Sequence, residues 1–172
     1  MIVEISIHSF SLWHHFANKV DFDAIDFADL ARSMGYQGIS LSLNDINYRH
    51  LGGKGADRMD RLRRHLKSYE MKLEVDTSNT TPVHMSEMLK VANRMGATSL
   101  RTYTHYRGDI DQMIKKTASD LKEVMDEASD LGIIIVLENH EDFTGPELVN
   151  IIELVNHPSL KILYDYGNSQ MV

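Results

Sequence analysis

The strongest constraint in this sequence is an alternation. Six short runs of strand composition, VEISIHS (3–9), GISLSLN (38–44), KLEVDT (72–77), SLRTYTH (99–105), IIIVLENH (133–140) and LKILYDYG (160–167), alternate with longer stretches whose apolar residues recur at helical spacing. These stretches are Ala24, Phe27, Ala28, Ala31; Met59, Leu62, Leu66, Tyr69; Met85, Met88, Leu89, Ala92, Met95; Ile114, Ala118, Leu121, Met125, Ala128; and Leu148, Ile151, Ile152, Val155. Strand followed by amphipathic helix, repeated, dictates a parallel sheet, because parallel neighbours need a crossover and a helix supplies it. The junctions repeat as well. In SMGYQGISL, RMGATSLR and DLGIIIVL a glycine follows the helix in the place of a left-handed cap, and the next strand begins a few residues later. Two helix starts are legible: Thr144 with Glu147 has capping-box spacing, and Thr81 before Pro82 puts proline at a first helical position.

A doubly wound sheet and a (β/α)8 barrel both satisfy such an alternation, and the strand faces choose between them. One face is apolar, with Ile5 and Ile7, Ile39 and Leu41, Leu73 and Val75, Ile135 and Leu137. The other carries Ser6 and His8, Ser40 and Ser42, Glu74 and Asp76, Arg101, Tyr103 and His105, Glu138 and Asp165. Central strands of a doubly wound sheet are apolar on both faces, whereas a barrel with helices outside tolerates a polar interior. The expected fold class is therefore α/β, a parallel (β/α)8 TIM barrel. Strand starts recur about every 27 to 35 residues, so 172 residues hold about six β/α units where eight need roughly 250. The expectation is a single domain over residues 1–172 that forms the N-terminal part of a barrel without its last two strands. Glu74 and Arg101, third in their strands and of opposite sign, are an expected interior ion pair.

Composition then narrows the chemistry. Eighteen Lys and Arg against 25 Asp and Glu leave a net charge of −7, which offers no general footprint for a phosphate backbone or an anionic lipid surface. Neither nucleic acid nor membrane is an expected partner. The absence of cysteine excludes disulfides, thiolate nucleophiles and sulfur-ligated metals, and fits a cytoplasmic protein that works with oxygen and imidazole groups.

In a barrel those groups collect at the C-terminal ends of the strands. There the sequence offers His8, Trp13 and His14; Asn44, Asp45, Arg49 and His50; Asp76 and Ser78; His105 and Arg107; Glu138 and His140; and Asp165 and Asn168. Glu138 closes the run IIIVL and Asp165 closes KILY, two acids at the inner rim of neighbouring strands. Two carboxylates about one strand spacing apart repel unless a proton, a donor or a cation compensates. A hard divalent metal such as Mn, Mg or Co would do so, with Zn open if an imidazole joins. The competing reading is that both acids only cap their loops.

The pair VLENHEDFTGPEL and YDYGN, with Asp165 27 residues after Glu138, resembles the xylose isomerase-like TIM-barrel superfamily, in its sugar isomerase and epimerase branch of ketose 3-epimerase type. The motifs cover about 138 to 168, while the organisation extends over the whole chain. The resemblance implies Glu138 and Asp165 as the first two ligands of a divalent metal and Glu138 also as the catalytic acid/base. The family's further ligands, a histidine and a glutamate from strands seven and eight, have no counterpart in this sequence. The implied reaction is proton transfer next to the carbonyl of a ketose, sugar phosphate or polyol-derived ketone. His8, Trp13, His50, His105, His140 and Asn168 are candidate substrate-binding residues, although packing competes for the first two and loop solvation for His50, within NYRHLGGKGA, and for His140. Arg61, Arg63, Arg64 and Lys67 read as the solvated side of a helix. Two other classes compete, an endonuclease IV-like metal phosphodiesterase and a non-catalytic sugar-binding module. A sheet left with open edges is expected to associate into homo-oligomers.

Overall fold

The computed structural model describes residues 4–168. Six strands, β1 (Ser6–His8), β2 (Gly38–Ser42), β3 (Lys72–Asp76), β4 (Ser99–Thr102), β5 (Ile134–Glu138) and β6 (Leu160–Leu163), form one sheet in sequential order. Register pairs Ile7 with Ile39 and Ile39 with Leu73, and pairs Leu100 with Ile135 and Ile135 with Leu160, all parallel. A doubly wound sheet reverses its strand order at a switch point, and this one does not. The order is that of a barrel wall, as the sequence leads one to expect.

The helices are α1 (Trp13–Asn18), α2 (Ala24–Ser33), α3 (Ala56–Ser68), α4 (Pro82–Met95), α5 (Ile110–Asp130) and α6 (Gly145–Val155). The described chain divides into two compact units, one of residues up to Asp76 with Val91–Thr98, the other of Thr77–Lys90 with residues from Ser99 onward. In the first, α2 lays Phe27, Ala28 and Ala31 against the sheet at β2, whose Ile39 and Leu41 are fully buried. In the second, α5 and α6 pack on each other and on β5 and β6, burying Leu121, Met125 and Ala128 with Leu148 and Ile151 around Ile135 and Leu137. Removing each such side chain from water contributes about 1.5–3 kcal/mol, and that burial, rather than helix propensity, holds the layers together.

The local signals act where expected. Gly35, Gly96 and Gly132 have φ of 87°, 77° and 67°, the left-handed conformation that ends a helix and that a Cβ disfavours. Glu147 Oε2 accepts hydrogen bonds from the Thr144 N–H at 2.6 Å and the Thr144 hydroxyl at 2.8 Å, and Pro82 opens α4. The differences lie at strand ends. Expected strands reaching 44, 105, 140 and 167 stop at Ser42, Thr102, Glu138 and Leu163; beyond β2 and β6 a side chain takes a backbone donor, Ser42 Oγ accepting from Asn44 N at 3.3 Å and Asn139 Oδ1 from Asp165 N at 2.7 Å. His8 Nδ1 accepts from Phe10 N at 3.2 Å and opens a 3-10 turn, Ser9–Leu12, that runs into the unanticipated α1. Asp45 Oδ1 likewise accepts from Ile46 N at 2.9 Å and opens a kinked 3-10 turn, Ile46–Leu51, in a segment that reads as open loop.

Candidate functional site

In the second unit the candidate residues gather at the C-terminal ends of β4, β5 and β6. Arg101 and Val136 are register partners, so Glu138 stands one pleat further along β5 on the same face, within reach of the arginine fork. Arg101 Nε donates to Glu138 Oε2 at 2.8 Å and Arg101 Nη2 donates to Oε1. The carboxylate side chain is 0% exposed and the guanidinium side chain 18%, so this is a buried, bidentate ion pair. Its geometry compensates a charge that would otherwise be costly to bury.

Glu138 has a further neighbour, and through it a link to Asp165. The Asn168 side-chain amide lies 3.4 Å from Glu138 Oε1, while the Asn168 backbone N–H points to Asp165 Oδ1 at 3.3 Å. Asp165 Oδ1 also accepts from Gly167 N at 2.7 Å, the turn-forming habit of aspartate after a strand. The segment is fixed by Asn139, whose side-chain amide donates to the Asp165 carbonyl at 3.0 Å and accepts from the Asp165 N–H at 2.7 Å. Asn139, fully buried, is a positioning residue that composition and spacing alone do not single out.

Beside this group, His140 stacks on Tyr103 with ring centroids 4.1 Å apart and planes 9° from parallel, and the exposed His105 meets the edge of Tyr103 at 5.3 Å. Asp142, which the sequence does not mark, has a side chain 5% exposed and 3.6 Å from Arg107 Nη1. Burial pushes its carboxyl up from the ordinary value, against the opposing pull of Arg107, His140 and His105.

The first unit holds the remaining candidates. His8 Nε2 lies 3.5 Å from Asp76 Oδ2, which also accepts from Asn44 Nδ2 at 3.1 Å. His50 corrects the expectation of a solvated loop residue. It is 3% exposed, hydrogen-bonded through Nδ1 to Ser9 Oγ at 2.9 Å, and stacked on Phe16 at 4.3 Å. The kinked turn after β2 folds inward and carries it there, and burial lowers its readiness to take a proton. Trp13 is half exposed and tilted against His14 at 4.1 Å.

The chemistry of a metal can be tested against these donors. Glu138 and Asp165 offer hard oxygens joined through Asn168, suited to a divalent ion, and Arg101 is the cation such an ion would have to compete with. Among the described residues no group of three or more His, Asp or Glu side chains is placed to share one ion.

A sheet of six parallel strands in sequential order, alternating with helices, is the architecture of a TIM-barrel wall. The chain belongs to the xylose isomerase-like TIM-barrel family, whose model matches residues 28–172. Among relatives it is 24% identical over 143 residues to the uncharacterized protein YihM of Escherichia coli strain K12, covering 83% of this chain and 44% of that protein. Among solved structures it is similar to D-psicose 3-epimerase in the presence of D-fructose, at 14% identity and a TM-score of 0.78, covering 98% of this chain and 65% of that one. The IOLI protein with a binding zinc atom gives 14% identity and a TM-score of 0.77 over 98% of this chain and 65% of that one. D-allulose 3-epimerase from Methylomonas sp. gives 17% and 0.71 over 99% of this chain and 65% of that one. The chain thus spans less than two thirds of the length of these proteins, and its six strands are part of such a barrel.

Proposed function

We propose that this chain contributes to a sugar isomerase or epimerase in which a proton moves next to a substrate carbonyl, with Glu138 as the acid/base. The observation that carries this reading is the placement of Glu138, a buried carboxylate at the C-terminal end of β5, joined through Asn168 to the second acid, Asp165. Similarity to two 3-epimerase structures, one of D-psicose and one of D-allulose, supports a ketose as the substrate class. A divalent ion (Mn, Mg, Co or Zn) held by Glu138 and Asp165 would polarise the substrate carbonyl and so make the adjacent C–H more acidic. The zinc atom in a similar structure supports such an ion.

The chain's own residues supply the rest. Arg101 fixes the direction of the Glu138 carboxylate through two bonds, so the oxygen that takes or returns the proton needs no reorientation during transfer. Asn168 and Asn139 hold the β6 segment to Glu138, and the stacked Tyr103 and His140 rings offer a flat face to a sugar.

The test is hydrogen exchange at the carbon next to the carbonyl of a ketose in deuterium oxide with Mn(II), followed by NMR. Glu138→Gln should lower the exchange rate by about 100-fold or more. An unchanged rate in Glu138→Gln would remove the acid/base assignment.

A further inference from the structure

A cavity of about 500 Å³ opens in the first unit between the segment after β1 and the turn after β2, and none of the roles above uses it. Four cations line it, Lys19, Arg49, Arg58 and Arg61, against the two carboxylates Asp21 and Asp23. In a chain of net charge −7 this is a local reversal of sign. The sequence hides it, since Lys19 and Arg49 lie in segments separate from the helix that carries Arg58 and Arg61, and Arg61 reads as part of a solvated helix side.

The cations are arranged rather than merely near one another. Arg49 is anchored by Nη2 to the carbonyls of Phe16 and, at 3.2 Å, Ala17, which ties the turn after β2 to α1. Arg58 lies across the turn at Gly52. A Cβ there would stand 2.5 Å from Arg58 Nη1, and Gly52 and Gly53 have φ of 85° and 126°, so the turn has both the space and the backbone that only glycine provides readily. Asp23 is largely committed, since Oδ1 caps α2 by accepting from Ile25 N at 2.8 Å and Oδ2 lies 3.5 Å from Arg58. Lys19 lies 5.7 Å over the Phe22 ring, and Arg61 makes no ion pair or hydrogen bond among the described residues. An uncommitted arginine beside two positioned ones is the donor set that a tetrahedral oxyanion takes.

We propose that this cavity binds a phosphate monoester. The excess of two positive charges matches the roughly −1.5 to −2 of a phosphate monoester at neutral pH. The site rests on the geometry of this cavity alone.

The experiment is calorimetric titration of the chain with inorganic phosphate, D-fructose 6-phosphate and D-fructose at constant ionic strength. Phosphate should bind saturably and more weakly as salt is raised, and the phosphorylated sugar should bind more tightly than the free one. Arg61→Gln, which removes no structural contact, should weaken phosphate about tenfold, with Lys19→Gln as a second probe. Phosphate binding no stronger than that of chloride, or undiminished in both variants, would overturn the site. Saturable phosphate binding lost in Arg61→Gln, together with unchanged hydrogen exchange in Glu138→Gln, would keep the site and discard the proposed reaction. The reverse pattern would discard the site alone.

Discussion

The polar interiors of the two units solve one problem in different ways. At the ends of β1 to β3 the buried groups are hydroxyls, the imidazole of His50 and the carboxylate of Asp76: Ser9 Oγ bonds His50 and also accepts from Ser42 N at 3.0 Å, and Ser40 Oγ donates to Glu74 at 2.7 Å. At the ends of β4 to β6 the central feature is a full ion pair, Arg101 with Glu138. A network of mostly neutral groups costs little to bury once each is satisfied, and the loss of one member is a local fault. A buried charge pair is held together by its geometry, and the loss of one partner strands the other. A positioned charge is also what the proton transfer proposed for Glu138 requires.

The largest expected effect tests the charged interior. Arg101→Met should lower unfolding stability by about 3–5 kcal/mol in a denaturant titration, because Glu138 is left buried with a negative charge. A Mn(II) titration of the same variant should show tighter binding than in the parent chain, since the competing cation is gone. A stability change no greater than that of a surface substitution would mean that Glu138 reaches water.

Next in size is the hydroxyl network of the first unit. Ser9→Ala deprives both the Ser42 N–H and His50 Nδ1 of a buried partner, and should cost about 2 kcal/mol by the same measurement. A cost equal to that of Arg101→Met would erase the distinction between the units.

The smallest effect is a pH slope. His50 and His84 are both shifted down from 6.5 by burial, with Asp45 and Asp76 opposing at His50 and Glu87 at His84. The unfolded chain then binds more protons than the folded one as pH falls through the ordinary histidine range. Stability from these groups is fully present above that range and is lost as pH drops through 6.5 towards the lowered folded values. Unfolding midpoints measured between pH 8 and 5.5 should fall, and His50→Gln should flatten part of the fall. A flat profile in the parent chain would place both rings in water.

Much of the architecture was legible because it follows from short-range rules. The stripe Ala24, Phe27, Ala28, Ala31 is the buried face of α2, and the glycines at 35, 96 and 132 adopt the expected left-handed caps. Strand parity correctly put Ile39 and Leu41 on the helix side. The segments after β1 and β2 were not legible: a kinked turn with Asn47 and Tyr48 at positive φ has no simple periodicity, and it is what buries His50. Asn139 and Asp142 escaped notice for a related reason, since nothing local marks an asparagine or an aspartate as buried.

By itself the sequence determined the alternation of strands and helices, the face each strand turns to its helices, and the acids Glu138 at the end of β5 and Asp165 just after β6. Hydrophobic period, glycine caps and proline placement act over a few residues, and one chain displays them in full. Only the tertiary structure decided which charge answers which. The fold brings the Arg101 guanidinium onto Glu138, a partner that the sequence does not name for it, because the register of β4 against β5 sets the distance between the two side chains. It likewise drew Lys19, Arg49, Arg58 and Arg61 around one cavity. Electrostatic partnership depends on separation in space, and chain folding sets that separation independently of order along the sequence.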